Sequence, residues 1–377
     1  MFSFNHGSKK SQPIISGKTW FPKGLIFFLV LIASGLTLVS ESEGNVFKSR
    51  YRVSGVPKVI DVQESKQFAV ISISSKSVRL QVGKAVDNPF GQTADTIHQE
   101  SLVNPMGTKV LAGIKATSID LADTHAVISK FKQKAIELGV TQGRMFIVVG
   151  SSLVAGWTDI QNFRKDLEIH GLPVEILTSQ AEAEMSVLAI CPDPKLANNI
   201  LVVDVGSGSI KLTTQFVRKG FVTALNTTVL PGVSEITRKL SNDLRTLEKF
   251  ENQVTSLVDA NPAISNRAKV IVTGGIPYVM TLIANAEGQY WKPNTNQIVN
   301  LTEKFVTAPN FESIIGGLND EDESHLVSNL FTLGQLKAGA SVMAALNRLV
   351  FFNKEVYFCA KSSPSWEMAY GLKKLHH

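Results

Sequence analysis

The sequence predicts a two-lobed α/β fold, duplicated around a central cleft and preceded by one transmembrane helix. A strand–turn–strand pattern occurs twice, over residues 70–80 and again over residues 202–212. Along the rest of the 377 residues, buried strands alternate with amphipathic helices, which is typical of mostly parallel sheets wrapped by helices. Two such hairpins, one in each half, favour two similar lobes that face each other.

The two copies of the pattern match position by position. The same residue occurs at four matched positions, namely Val70 and Val202, Ser75 and Ser207, Ser77 and Ser209, and Leu80 and Leu212. A further position is basic in both copies, as Arg79 and Lys211. β-Branched runs joined by tiny residues predict two strands with a tight turn between them.

The other elements are predicted from the spacing of apolar residues. Helices are predicted over residues 126–139, 158–171, 179–190, 233–258 and 336–349, and strands over residues 145–150, 174–177, 221–229 and 269–275. Residues 286–325 are weakly patterned and contain the acidic run 320–323, so they predict a solvated loop.

An uncharged apolar segment, residues 24–40, predicts a membrane anchor, because roughly 20 apolar residues cross a bilayer. It follows a basic tail, residues 1–23, and precedes a polar linker, residues 41–62. A cleaved signal peptide is the alternative. Basic residues on both sides of the segment leave its orientation unpredicted. The first lobe is then expected over residues 63–193 and the second over residues 194–377.

Charge and cysteine usage argue against several classes of protein. Four of the 38 basic residues lie in residues 1–23, and all 32 acidic residues lie beyond them, so the rest of the chain is close to neutral. Nucleic-acid binding is therefore disfavoured. Cys191 and Cys359 have no metal-binding spacing, which argues against a zinc or disulfide scaffold.

The turn Gly206-Ser207-Gly208-Ser209 indicates an anion site. Its glycines let the backbone approach an anion, and consecutive N–H groups form a nest for phosphate, to which the serine hydroxyls add donors. Asp204, at the end of the preceding strand, is placed to hold Mg²⁺ or to orient a water molecule. A plain hairpin, in which Asp204 accepts bonds from its own turn, is the alternative. Because a strand follows the turn, it is neither a Walker loop nor a dinucleotide fingerprint.

These residues and others in the same order resemble the exopolyphosphatase and guanosine-pentaphosphate phosphatase (Ppx/GppA) family, within the actin-like ATPase superfamily. Residues 203–209 resemble its second phosphate loop, and residues 174–183 resemble the segment with its catalytic glutamate. Val272-Thr273-Gly274-Gly275 resembles its glycine-rich third loop. The resemblance covers roughly residues 65–375.

The resemblance implies an actin-like, ribonuclease H-like fold and a site for phosphoanhydrides. Glu182 would be the general base that activates water, and Asp204 would hold Mg²⁺. Glu182 could also cap its own helix together with Ser179. Three turns would bind phosphate, through Ser75, Lys76 and Ser77, through Gly206, Ser207, Gly208 and Ser209, and through Gly274 and Gly275. The expected ligand is polyphosphate or a phosphorylated nucleotide. A homodimer and a single-pass location in a bacterial inner membrane are also expected.

The chain departs from the family's pattern at charged positions. Ser72, Ser74 and Lys76 stand where the family's first loop has Asp, Gly and Asn, and Lys211 stands where its second loop has Glu. Loss of one charge-stabilising group typically costs about 3 kcal/mol in the transition state. Lys76 and Lys211 could pair phosphate oxygens in place of a metal, or be solvated strand residues. Two hypotheses stay open: a membrane-anchored phosphohydrolase with intact or impaired activity, and a degenerate protein that binds a phosphorylated ligand or a protein partner without turnover.

Overall fold

The computed structural model describes residues 66–88, 91–111, 114–154, 160–190, 199–218, 221–240, 243, 245–318, 331–360 and 365–375. The predicted tail, membrane anchor and linker, residues 1–62, lie outside these ranges. Within them, no helix is long and apolar enough to cross a bilayer.

The first sheet begins with the hairpin that the repeated pattern predicts. β1 (Gln67–Ile73) and β2 (Ser77–Asn88) are antiparallel, and β2 pairs in the same way with β3 (Gly91–Val103). β4 (Met145–Val149) then pairs parallel to β1, and β5 (Val174–Ile176) parallel to β4. The strand order is β3-β2-β1-β4-β5.

The second sheet repeats this topology. Its strands are β6 (Ile200–Val205), β7 (Ser209–Arg218), β8 (Phe221–Pro231), β9 (Lys269–Gly274), β10 (Tyr290–Trp291) and β11 (Glu355–Cys359). Read from β8, the order is β8-β7-β6-β9-β11, with β10 added at the far edge. The three hairpin strands are antiparallel, and β9 and β11 run parallel to β6. The duplication predicted from two short motifs therefore extends over both sheets.

Helices cover both faces of the first sheet. They are α1 (Pro105–Leu111), α2 (Ser118–Glu137), α3 (Ser151–Val154), α4 (Ile160–Leu167) and α5 (Ser179–Ile190), with 3₁₀ turns at Gln142–Arg144 and Glu168–His170. α2 starts earlier than the sequence predicted, because Thr117 and Asp120 form a capping box there.

The second half holds eight described helices. They are α6 (Val233–Leu240), α7 (Thr246–Ala260), α8 (Pro262–Ser265), α9 (Gly275–Ile283), α10 (Thr295–Thr307), α11 (Glu312–Ile315), α12 (Leu333–Leu349) and α13 (Trp366–Leu375). The single helix predicted over residues 233–258 is wrong: the carboxylate of Asp243 accepts the N–H of Arg245, and this local turn separates α6 from α7.

The predicted loop over residues 286–325 is also wrong in part, because it contains α10. Ile298, Thr302 and Phe305 recur at helical spacing and are buried on one face of that helix, whose start is capped by Asn294. The acidic run 320–323 lies outside the described residues.

Two helices pack together on one face of the first sheet. α5 packs on the first sheet through Met185 and Ala189, and on the second through Val187 and Ile190. α13 is last in the chain, but it packs on β1 of the first sheet through Met368 and also contacts α5. These two helices bring side chains from both halves to one cavity.

Candidate functional site

A cavity of about 1260 Å³ lies between the turns of the two repeated hairpins. Ten of the predicted site residues line it, namely Lys76, Ser77, Glu182, Asp204, Gly206, Ser207, Gly208, Ser209, Gly274 and Gly275. Ser75 does not line it and is fully buried. The fold thus brings together residues that are almost 200 positions apart in the sequence.

The first turn, Ser74 to Ser77, is closed by its own serine. The N–H of Ser74 donates to the carbonyl of Ser77 at 2.9 Å. The Ser74 hydroxyl then accepts the backbone N–H groups of Lys76 at 3.3 Å and Ser77 at 3.1 Å. Asn104 supports the turn from behind, since its Nδ2 donates to the carbonyl of Ser74 at 2.7 Å. The N–H groups of Lys76 and Ser77 are therefore occupied by a side chain of the turn itself.

The second turn has the same backbone closure but no such side chain. The N–H of Gly206, which matches Ser74, donates to the carbonyl of Ser209 at 3.0 Å. Glycine offers no hydroxyl to the N–H groups that follow. The hydroxyl of Ser209 is buried and has no hydrogen-bond partner among the residues that the structure describes. Unlike the first turn, this turn has no side chain at that position to occupy its N–H groups.

The second turn is packed directly on the start of α6. The N–H groups of Val233 and Ser234 donate to the carbonyls of Gly206 and Ser207, at 3.1 and 2.9 Å. A Cβ atom at Gly232 would lie 2.3–2.4 Å from backbone atoms of the turn, so a larger residue does not fit there. The turn is held rigidly by these contacts.

The third predicted loop lies beside the second turn. Gly274 ends β9, which pairs in parallel with β6, and it stands opposite Val205. Its φ is +109°, and a Cβ atom there would lie 2.3 Å from the carbonyl oxygen of Val205. Both observations require glycine at this position. The glycine pair thus lets β9 turn into α9 at the wall of the cavity.

Three charged side chains meet at the centre of the site. Nζ of Lys211 is 3.0 Å from Oε1 of Glu182 and 3.3 Å from Oδ2 of Asp204. Asp204 and Lys211 stand opposite each other on β6 and β7, so the hairpin register points both side chains to the same face. Oε2 of Glu182 accepts the N–H of Ser151 at 2.9 Å and its hydroxyl at 2.5 Å. The Glu182 carboxylate thus bonds to Ser151 and Lys211, whereas Thr178 caps α5 by accepting the N–H of Ala181.

Burial and ion pairing shift the pKa values of Asp204 and Lys211 in opposite directions. Burial raises the pKa of Asp204 above its ordinary value, and the ammonium group of Lys211 opposes that rise. Burial alone would lower the pKa of Lys211, but Asp204 and Glu182 outweigh it, so that pKa is raised. Lys211 is therefore held in its charged form by the two carboxylates.

Glu367 and Arg79 form a second ion pair that sequence reasoning missed. Oε1 of Glu367, on α13, accepts the hydroxyl of Ser72 at 3.1 Å and lies 3.4 Å from Nη1 of Arg79. The residue is 2% exposed, and Oε2 has no partner among the described residues. The basic position shared by the two hairpins was a signal for this pair, since Arg79 matches Lys211. The glutamate could not be found in the same way, because it lies nearly 300 residues further along the chain.

Lys76 reaches from the first turn to the other side of the cavity. Its Nζ lies 4.1 Å from the centroid of the Phe331 ring, just before α12. Burial lowers the pKa of Lys76 from 10.5 to about 7. The side chain is therefore a partly buried cleft residue and not a solvated strand residue.

Magnesium does not fit the residues that the resemblance assigns to it. The predicted ligand Asp204 and the nearby Glu182 both hold the ammonium group of Lys211. Near the end of β1, Ser72 supplies a neutral hydroxyl that donates to Glu367. Within the described ranges, no group of three or more His, Cys, Asp or Glu could hold a metal ion. The role of Asp204 as a metal ligand stays a prediction that these contacts do not support, since its carboxylate is a partner of Lys211.

Neither a protein-family model nor a curated protein matches the sequence. Solved structures are similar in fold. A Ppx/GppA family member from Aquifex aeolicus has a TM-score of 0.57 at 18% identity, covering 82% of this chain and 97% of that one. An exopolyphosphatase from Cytophaga hutchinsonii has a TM-score of 0.59 at 13% identity, covering 82% and 98%. An exopolyphosphatase-like protein has a TM-score of 0.59 at 16% identity, covering 83% and 98%. The chain therefore has the two-lobed α/β fold of the Ppx/GppA structures.

Proposed function

We propose that the cavity binds the phosphate chain of polyphosphate or of a polyphosphorylated nucleotide, and that hydrolysis there is slow. The observation that carries the proposal is the second turn, where Gly206 has no side chain to occupy the backbone N–H groups and the buried hydroxyl of Ser209 has no partner among the described residues. A buried, unpaired hydroxyl costs about 1–3 kcal/mol, which a phosphate oxygen would recover.

The likeness in fold supports a phosphorylated ligand. Two of the similar structures are described as an exopolyphosphatase and an exopolyphosphatase-like protein. The cavity also has basic side chains that could pair phosphate oxygens, since Lys76, Arg79 and Lys211 line it. We extend the ligand class of those proteins to this chain on these grounds.

Hydrolysis is the second candidate, because Glu182 lies in the wall of the cavity. A general base must accept a proton from a water molecule within hydrogen-bond reach. Glu182 already accepts two bonds from Ser151 and one from Lys211, so a proton taken from water would weaken this network. The ammonium group beside it also stands where the family's loop has a carboxylate. Both features support slow turnover.

Binding and turnover are separated by one set of measurements on the full chain. We expect tight binding of long-chain polyphosphate or guanosine pentaphosphate, with little phosphate release, in the wild-type protein and in Glu182→Gln. Rapid release that disappears in Glu182→Gln would instead establish a hydrolase that uses this carboxylate. If neither ligand binds, the assignment of the cavity is wrong.

We also propose that residues 24–40 anchor the protein in a bacterial inner membrane as a single span. The support is their uncharged, apolar sequence behind a basic tail. The full chain should sediment with membranes and resist extraction by alkaline carbonate, whereas a variant without residues 24–40 should not. The expected homodimer stays a prediction, and the mass of the detergent-solubilised protein tests it.

A further inference from the structure

The ammonium group of Lys211 lies between carboxylates from the two halves of the molecule. Glu182 comes from α5, which follows the first sheet, and Asp204 comes from β6 of the second sheet. The side chain of Lys211 is 3% exposed, so its charge is almost fully removed from water. A buried charge needs partners of this kind, because an isolated one is strongly disfavoured inside a protein.

A divalent cation in this cavity would need the same oxygen atoms. Mg²⁺ takes oxygen ligands at about 2.0–2.1 Å and usually binds proteins through one or two carboxylates. To reach Glu182 and Asp204 it would have to displace the ammonium group or lie beside it, where two positive charges a few ångströms apart repel strongly. The carboxylates of Glu182 and Asp204 therefore already pair with a cation of the protein itself, the ammonium group of Lys211.

The first hairpin shows a matching arrangement. Ser72, which matches Asp204, is neutral, and Arg79, which matches Lys211, pairs with Glu367. In each half, a basic side chain of the hairpin thus pairs with a glutamate that lines the cleft. Glu182 is shared with Lys211, and no group of three or more His, Cys, Asp or Glu among the described residues could hold a metal ion.

We propose that Lys211 is the built-in cation of this cleft, that no divalent metal ion binds there, and that phosphate chains bind without one. The statement about metal stands by itself, whereas the statement about phosphate rests on the proposed function.

Binding of Mn²⁺, followed by electron paramagnetic resonance, tests the first statement on the full chain. Wild-type protein should show no Mn²⁺ binding that depends on Asp204. Lys211→Gln frees both carboxylates and should bind Mn²⁺ at least about tenfold more tightly than wild type. Its midpoint of thermal unfolding should also rise with added Mn²⁺. The double variant Lys211→Gln, Asp204→Asn is the matched control and should lose both effects.

Two results would overturn the proposal. One is Mn²⁺ binding by the wild-type protein that Asp204→Asn abolishes. The other is a folded Lys211→Gln variant, verified by circular dichroism, that gains no Mn²⁺ binding. If Lys211→Gln does not fold, the comparison of wild type with Asp204→Asn still decides the first statement.

The affinity for tripolyphosphate, measured in EDTA and in Mg²⁺, tests the second statement. The two affinities should agree within about threefold for wild type, whereas Lys211→Gln should bind at least about tenfold more weakly in EDTA than in Mg²⁺. Mg²⁺ also binds tripolyphosphate itself, but this binding changes the measured affinity of both proteins equally. The ratio of the affinity in Mg²⁺ to that in EDTA is therefore compared between wild type and Lys211→Gln, and a difference in this ratio arises from the cleft. Equal metal dependence in the two proteins would overturn the statement. If neither protein binds tripolyphosphate in either condition, the proposed function fails, and the Mn²⁺ result still decides the role of Lys211.

Discussion

Glu182 links the two halves of the molecule through a single carboxylate. One oxygen accepts two hydrogen bonds from Ser151, directly after β4, and the other accepts one from Lys211 on β7. Breaking a buried ion pair by removing one partner typically costs about 3–5 kcal/mol, because the other charge stays buried. The residue therefore has a structural role in addition to any part in chemistry.

At the scale of single residues, substitution of Ser209 separates an effect on ligand affinity from an effect on stability. Ser209→Ala removes a buried hydroxyl without a described partner, so the free energy of unfolding should stay unchanged or rise by up to about 1 kcal/mol. The affinity for tripolyphosphate should fall about fivefold to tenfold, because a donor to phosphate is lost. Isothermal calorimetry and urea unfolding measure the two effects.

Thr214 offers the matched control for Ser209. Its hydroxyl is also buried without a described partner, but the residue does not line the cavity. Thr214→Val should give a similar change in unfolding free energy and leave the affinity for tripolyphosphate unchanged. Equal loss of affinity in both variants would contradict the assignment of Ser209 as a ligand contact.

The lowered pKa of Lys76 predicts that the stability of the protein depends on pH, and it fixes the sign of that dependence. The folded chain releases this proton near pH 7 and the unfolded chain near pH 10.5, so the unfolded state binds more protons between these values. The cost of burying the charge is thus present below pH 7 and is relieved as the pH rises to 10.5. Lys76→Met should raise the unfolding free energy by about 1–2 kcal/mol at about pH 6, and by less at about pH 9.5.

Urea unfolding of wild type and Lys76→Met at these two pH values measures the difference. The Phe331 ring acts in the opposite direction, because a cation–π contact stabilises the charged lysine. A difference that does not change with pH would show that this contact keeps the pKa of Lys76 near its ordinary value.

At the scale of elements, the turns of the two hairpins close with the same backbone hydrogen bond but differ in one side chain. Both turns close with the same N–H to carbonyl bond, from Ser74 to Ser77 and from Gly206 to Ser209. The first turn then satisfies its own N–H groups with the Ser74 hydroxyl, whereas the second turn has no side chain at that position. The duplicated element has therefore kept its backbone closure in both halves, and the halves differ in whether a side chain occupies the N–H groups that follow.

Substitutions at the matched positions Gly206 and Ser74 should change the affinity for phosphate in opposite directions. Gly206→Ser should lower the affinity for tripolyphosphate at least about tenfold, because the new hydroxyl would accept the N–H groups that bind phosphate. Ser74→Gly is the reciprocal variant, and it should keep or increase the affinity while losing about 1 kcal/mol of stability. Calorimetric titration of both proteins measures this.

A Cβ atom at Gly206 would lie 2.8 Å from the carbonyl oxygen of Ser209, so Gly206→Ser needs a small shift of the turn. Circular dichroism and the midpoint of thermal unfolding verify that the variant is folded. Unchanged affinity in a folded Gly206→Ser protein would rule out the second turn as the phosphate site.

At the scale of the whole molecule, α13 joins the end of the chain to its first sheet. Gly371 lets this helix approach β1 closely, since a Cβ atom there would lie 2.2 Å from Cε2 of Phe68. The same helix carries Glu367 to the first hairpin, as α5 carries Glu182 to the second. Each helix follows the last parallel strand of one sheet and supplies a carboxylate to the hairpin of the other.

Gly371→Ala should therefore destabilise the protein. Helix propensity alone would favour alanine by about 1 kcal/mol. Overpacking against the fully buried Phe68 ring should exceed this gain, with a net loss of about 2 kcal/mol in unfolding free energy. Gly143→Ala is the control, because a Cβ atom there meets nothing within 4 Å. Denaturant unfolding that shows equal stability for both variants would disprove the close packing of α13.

Local patterns in the sequence were sufficient to predict the two hairpins, the glycine turns and most buried strands. β-Branched alternation and tiny turn residues act over a few neighbouring positions, and the structure confirms the strands on each side of both turns. The same local signals failed over residues 233–258 and 286–325, where an Asp243 turn and the buried face of α10 decided the outcome.

The repeat and the family resemblance were sufficient to assign Glu182, Asp204 and the glycine turns to one site. The contacts of these residues depend on how distant segments pack, and they followed from the fold alone. No partner within the protein could be assigned to Lys211 from the sequence, and the hairpin register and the position of α5 placed it between two buried carboxylates. Electrostatic pairing depends on distances between segments far apart in the chain, and burial determines its strength, so neither could be obtained from local pattern.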